Sequence, residues 1–242
     1  MSPTTWTPTA VSSEAIRFAG KAWRVVEDQH RSSTIKLVDT LAEHETLEQI
    51  LESGKPPLSL IATHLHYLLA GPFRYPPSPV GSRFRGSADP CVFYAALTFR
   101  TAAIELGYWR WKFLCQSSGL TRLAAAPQTV FKADVKAQRC INLMPAPFNR
   151  DAVVWEHPTD YSGTQEFARV ARSATIEALV YRSVRDTSPG ECIALLGVTA
   201  FGTTKPENDT QTWHLTVTQD EVIWTHKFKA SFSVPTSGWP RP

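Results

Sequence analysis

Apolar residues along this chain change their spacing several times, and each change predicts an element. Over 13–53 they recur at intervals near three and four. Ile35, Val38, Leu41, Leu47, Ile50 and Leu51 form one stripe, so the segment reads as helical. Thr46 followed by Gln49 fits a capping box that would restart a helix there. Residues 1–12 are rich in Ser, Thr and Pro and read as a lead-in. From 55 to 80 prolines recur (Pro56, Pro57, Pro72, Pro76, Pro77, Pro79). Each removes an amide donor, so this stretch reads as ordered loop, with a short apolar helix at 58–69 inside it. It marks the junction between a helical extension, 1–55, and a main domain, 56–242.

Past the loop the pattern shortens. CVFYAA reads as a buried strand. Thr98 precedes a helical run with Ala102, Ala103, Leu106 and Trp109 mostly on one face, and Glu105 is placed at the turn between strand and helix. TVFKADV, CINLM, EALVYRS and CIALLGVTAF read as further strands, and GTQEFARVARSA as a helix. TWHLTVT and VIWTHKF both alternate apolar and polar residues across Gln219-Asp220, which predicts a β-hairpin. The mixture is α+β, with mixed or antiparallel sheet and helices. There is no βαβ rhythm, no GxGxxG and no P-loop.

Composition narrows the function classes. Hydrophobic residues make up 43% of the 242 and charged residues 19%, which fits a globular chain with a sizeable core. The eight tryptophans agree, because such side chains stabilise a fold when packed. A net charge of +3 suits an anionic small molecule but lacks the dense basic field of a nucleic-acid binder. Cys91, Cys115, Cys140 and Cys192 make no CxxC pair, so a zinc knuckle or thioredoxin motif is disfavoured. No secretory leader is recognisable at the start, and no apolar stretch nears bilayer length, so a cytoplasmic location is expected. The sequon at Asn208 then reads as chance.

The candidate chemistry concentrates in GSRFRGSADPCVFYAALTFRTAAIELGYWRW, residues 81–111. An arginine fork binds phosphate bidentately, which nominates Arg83 and Arg85. Alternation along a strand would turn both to one side. An aromatic face can hold a flat base, or its hydroxyl a ribose, which nominates Tyr94 against the commoner fate of a core tyrosine. A carboxylate with apolar neighbours can stabilise positive charge on a sugar, which nominates Glu105 against an exposed helical glutamate. Ser183, between Arg182 and Arg185, would touch a phosphate or ribose. It lacks the G-x-S-x-G context and a paired base, so a nucleophilic role is disfavoured. His64-x-His66 lacks companions for a metal set, and no metal is expected. TAAIELGYWRWKFL reads as a core-facing helix rather than a stacking platform for nucleic acid.

These pieces together, SRFRG…VFYAA…RTAAIELGYWRW followed by VYRSVRD…CIALL, resemble the RES domain family over about 73–201. WRVVEDQHRSSTIKLVDTLAEHETLEQILESGKPP is similar to the helical N-terminal extension of one RES subgroup. The resemblance implies a fold akin to ADP-ribosyltransferases, with a cleft that binds NAD as substrate. By position it places the family arginine on Arg83, with Arg85 the rival for register, the tyrosine on Tyr94, the glutamate on Glu105 and the serine on Ser183. Pro90-Cys91 and Cys192 depart from the pattern and leave substrate detail open.

RES proteins are the toxin half of bacterial RES–Xre toxin–antitoxin pairs. The resemblance therefore implies NAD degradation at the nicotinamide–ribose bond by hydrolysis or phosphorolysis, or else ADP-ribose transfer to a protein. It also implies an Xre-type helix-turn-helix antitoxin as partner, with no direct nucleic-acid contact and no membrane. A reading from another class is a RES-like scaffold without turnover that serves a DNA-binding protein. The apolar stripe at 35–51 would let the chain self-associate as a homo-oligomer.

Overall fold

The computed structural model describes residues 5–28, 34, 37–76, 79, 81–188, 190–227 and 230–241. Eight strands form one mixed sheet: β1 (Ile16–Glu27), β2 (Phe93–Ala96), β3 (Arg122–Asn142), β4 (Ala178–Arg182), β5 (Glu191–Leu195), β6 (Gln211–Thr218), β7 (Glu221–His226) and β8 (Ala230–Pro235). The α-helices are α1 (Pro8–Ser13), α2 (Leu41–Ser53), α3 (Tyr67–Ala70), α4 (Phe99–Gln116), α5 (Ala152–Trp155) and α6 (Ser162–Ser173). The architecture is α+β.

The strand order is β1-β2-β5-β4-β3-β6-β7-β8, and β1 also pairs with β3. The first five strands in that order thus close into a circuit. β3 makes this possible by its length. One of its edges pairs antiparallel with β1 from Glu27↔Gln128 to Ile16↔Cys140. The other pairs with β6 and then, parallel, with β4. β6, β7 and β8 continue as an antiparallel meander.

Alternation along the short strands separates two cores, because successive strand side chains point to opposite faces. Tyr94 and Ala96 of β2, with Cys192 and Ala194 of β5, pack in the cluster that includes α4 and α6. Phe93 and Ala95, with Ile193 and Leu195, pack in the other, with Leu68, Leu69 and Phe73. α4 starts at Thr98, whose hydroxyl accepts from Thr101 N at 3.1 Å, an N-cap that satisfies an otherwise orphan amide. It buries Ala103, Ile104, Tyr108, Trp111 and Leu114. Gly107 lets it settle onto β7, since a Cβ there would lie 2.8 Å from Val222 Cγ1.

Several expectations are corrected. The helical reading of 13–53 holds for α2 but not for Ile16–Glu27. That segment is strand because a long partner, β3, pairs with it from far along the chain, and local periodicity carries no trace of such pairing. Ile35 lies outside the described residues. The capping box is Thr40 with Glu43, not Thr46 with Gln49. Thr46 sits inside α2, and its hydroxyl donates to Ala42 O. The 58–69 helix is a 3-10 turn, Leu60–Ala62, followed by the single-turn α3.

TVFKADV and CINLM are two parts of the one strand β3, and β5 ends at Leu195 before a 3-10 turn. β8 went unpredicted. Its six residues carry only Phe232 and Val234 as an alternating pair. α2 buries none of its residues, and Leu41, Ile50 and Leu51 stay exposed. Among the described residues no helix is long and apolar enough to cross a membrane.

Candidate active site

The turn that carries Arg83 is built by Gly81. Its φ of +68° is left-handed, and a Cβ there would strike Arg85 O. Ser82 N donates to Arg85 O at 2.7 Å, and Arg85 N to Ser82 O at 3.1 Å. From α6, Thr164 Oγ1 donates to Arg83 O at 2.5 Å and Gln165 Nε2 to Ser82 O at 3.0 Å. Tyr94 completes the clamp. Its hydroxyl pairs with Ser82 Oγ at 2.8 Å and accepts from Phe84 N at 2.9 Å. Burial pushes the Tyr94 phenol up, against the pull of those two bonds. The hydroxyl is therefore committed to the turn, and the ring is what faces the cavity.

This tight turn removes the alternation argument for the two arginines. Arg83 and Arg85 diverge because they flank a reversal rather than lie on a strand. Arg85 donates to Tyr75 O at 3.2 Å and to Cys91 Sγ at 3.3 Å, and it is not in the cavity wall. Arg83 is 8% exposed and lines the cavity. Its Nη1 donates to Trp155 O at 2.6 Å, and its guanidinium lies 4.8 Å from the Tyr161 ring centroid.

The cavity is about 290 Å³ and brings Arg83, Tyr94 and Glu105 together. Glu105 is not on a turn, as expected, but in the second turn of α4, which aims it between the helix and β5. Its Oε1 accepts from Ser183 Oγ at 2.5 Å, and Cys192 Sγ lies 3.9 Å away. Burial raises the carboxyl above its usual range. The Ser183 hydroxyl, Arg83 and Arg185 pull it back, and Asp186 adds to the rise. Burial also drives the Cys192 thiol well above its ordinary value, so the protonated thiol is favoured there.

Ser183 stands behind Glu105 rather than in the cavity wall. Its oxygen accepts from Arg185 N at 3.2 Å and Asp186 N at 3.1 Å. A hydroxyl has two acceptor sites and one proton. With both acceptors engaged, the proton goes to Glu105 Oε1, a bond that favours the ionised carboxylate against the effect of burial.

Two further arginines complete the site. Arg185, 2% exposed, follows β4, and Trp239 Nε1 donates to its carbonyl at 2.8 Å. Its guanidinium sits 3.7 Å from the Tyr108 ring centroid, and Nη2 donates to Pro158 O and, at 3.4 Å, to the Tyr161 hydroxyl. Its Nη1 is buried without a hydrogen-bond partner. Arg24 enters from β1. It donates to Tyr94 O at 2.6 Å, and burial lowers its pKa to about 10. Among the described residues the arginine ion pairs are those of Arg74, Arg110, Arg150, Arg169 and Arg182, and Arg24, Arg83 and Arg185 form none.

The wall thus joins three guanidinium groups to one carboxylate, an arrangement that attracts a polyanion. Sequence reasoning anticipated further arginine from the segment holding Ser183. It missed Arg24, because that requires knowing that 16–27 is a strand. Among the described residues no group of three or more His, Cys, Asp or Glu side chains is placed to hold a metal. His66 is used locally, its Nδ1 accepting from Leu68 N at 3.3 Å.

Comparison with known proteins gives two likenesses. The family model for the RES domain matches residues 57–218. A chain in the crystal structure of the M.tuberculosis MbcT-MbcA toxin-antitoxin complex is similar at a TM-score of 0.46 and 12% identity, covering 94% of this chain and 91% of that one. No curated protein matches.

Proposed function

This chain belongs to the RES domain family, and from that premise we propose that it is a toxin of a toxin–antitoxin pair that consumes NAD at the nicotinamide–ribose bond. One observation carries the reading. Glu105, partly buried and held by Ser183, shares a cavity with three arginines that form no ion pair among the described residues.

Each part has a task in that reaction. Arg83, Arg185 and Arg24 hold the pyrophosphate, with Arg83 at the key position and Arg85 serving the turn that carries it. The tyrosine ring of Tyr94 borders the reacting nucleotide. The bond between ribose C1′ and the pyridinium nitrogen breaks, and its electron pair leaves with neutral nicotinamide. Positive charge develops on the sugar, and the Glu105 carboxylate stabilises it. Water or phosphate then adds to C1′. A protein side chain in that role would make the same site an ADP-ribosyltransferase. Ser183 acts through Glu105 by keeping it ionised and in place. The partner is an Xre-type helix-turn-helix antitoxin, as the family resemblance implies.

The test is incubation of purified protein with NAD in water alone, with phosphate, and with cell extract. Release of nicotinamide is expected. Free ADP-ribose, a phosphorylated product or a labelled protein identifies the acceptor. NAD that survives all three conditions rejects the enzyme and leaves the non-catalytic scaffold.

Ser183→Ala supplies a pH test. Losing a donor to the ionised carboxylate raises the Glu105 pKa further. Activity that needs the carboxylate ionised should then fall off at higher pH. The acid limb of the kcat/KM profile is expected to move up by about one pH unit. An unmoved limb would show that Ser183 does not set the charge of Glu105.

A further inference from the structure

The chain has eight tryptophans, and six are packed away. Trp6, Trp111, Trp155, Trp213, Trp224 and Trp239 are each at most 9% exposed. The other two are Trp23, half-buried on β1, and Trp109, 46% exposed on α4. Both line the cavity that contains Glu105. They come from elements far apart in sequence; Trp109 belongs to neither core, and Trp23 only borders one, beside Phe99. Leaving an indole in water forfeits the stabilisation its burial would bring. Two such rings at one cavity point to a flat ligand.

Trp109 lies four residues beyond Glu105, so the two occupy neighbouring places on one face of α4. Exposure increases from Glu105 to Trp109, which puts the mouth at the tryptophan. A cavity of about 290 Å³ lies at the lower end of the range for small-molecule sites. It accommodates the reacting half of a dinucleotide and leaves the other base at the rim. Each ring also carries a lysine on one face. Lys132 Nζ is 4.6 Å from the Trp23 centroid and Lys112 Nζ 5.4 Å from that of Trp109. A cation already on one face offsets the attraction such a ring has for a second cation, such as a pyridinium. An uncharged purine is not affected in this way.

We propose that Trp23 and Trp109 stack on the adenine base of the dinucleotide at the cavity mouth, while the bond to be broken lies deeper, beside Glu105. The inference rests on the NAD reading and names the residues that recognise the non-reacting half. It makes the adenine end a handle that sets KM. Substrates lacking it would be cleaved without help from the indoles.

Trp23→Ala and Trp109→Ala, each checked for an unchanged melting profile, would be assayed with NAD and with nicotinamide mononucleotide, and titrated calorimetrically with ADP. Base–aromatic stacking predicts a rise of roughly 10-fold in KM for NAD in each variant, with kcat little changed. KM for the mononucleotide should not move, and ADP affinity should fall by a similar factor. Trp109→Phe, which keeps a ring, should recover most of the loss. An unchanged KM for NAD, or equal ADP affinity in wild type and variants, overturns the clamp. An equal loss with the mononucleotide overturns the assignment to adenine. If the wild type leaves NAD intact yet binds ADP through these tryptophans, the NAD-consuming reading fails while the stacking site stands.

Discussion

Glu105→Gln is expected to slow NAD cleavage by about 100–1000-fold, the cost of removing one preorganised stabilising group from a transition state. The amide is nearly isosteric and can still accept from Ser183 Oγ, so the geometry should survive. Only the negative charge is lost, at the point where the sugar becomes positive.

Stability should move the other way. The folded-state carboxyl has a raised pKa, so the folded protein binds its proton more tightly than the unfolded chain does. That favourable contribution is complete below the unfolded value and disappears as pH rises through the folded one. At neutral pH the ionised side chain is thus a cost, and its replacement should leave the melting temperature equal or higher. Thermal melts at neutral pH and below the carboxylate range check both halves, because the difference between variant and wild type should shrink in acid. A variant that keeps full activity would remove Glu105 from the mechanism.

Arg83→Gln should raise KM for NAD by about 10–100-fold, the range for losing charge-assisted bonds to a phosphate. The shorter side chain also leaves Trp155 O without its donor, so a modest drop in melting temperature is expected. The two effects separate with Arg83→Lys. An ammonium restores charge but not the planar fork that lies over Tyr161, so it should recover only part of the affinity. Arg85→Gln is the control. Its guanidinium contacts Tyr75 and Cys91 outside the cavity, so it should weaken the turn more than it weakens substrate binding. Titration of the slowed Glu105→Gln background with NAD measures affinity with little turnover.

What could be read from the chain depended on how local the cause was. The apolar run at Phe93–Ala96, the amphipathic α6 and the alternation in β6 and β7 were legible because neighbours in sequence decide them. Glu105 and Tyr94 were legible by their order in a family-like pattern, although the hydroxyl of Tyr94 turned out to hold the Ser82–Arg85 turn. β1 was not legible, because pairing with β3 decides it. Trp23 and Arg24 were lost with it. Arg83 and Arg85 looked equivalent until Gly81 and the Ser82–Arg85 turn set them apart. Trp109 reads like Trp111 in a helical pattern, yet one faces the cavity mouth and the other the core. Which side of α4 is covered depends on the sheet beneath it, not on its own residues.

The hydrogen bond from Trp239 to the carbonyl of Arg185 makes the cavity depend on a residue outside its wall. The cavity draws residues from Trp23 onward, and the loop bearing its deepest arginine is moored by a side chain at position 239. Every wall residue lies between Trp23 and Cys192, yet the donor that fixes the Arg185 loop comes from well beyond them. A cut just before position 239 would therefore spare the whole wall of the cavity and still unfasten one side of it.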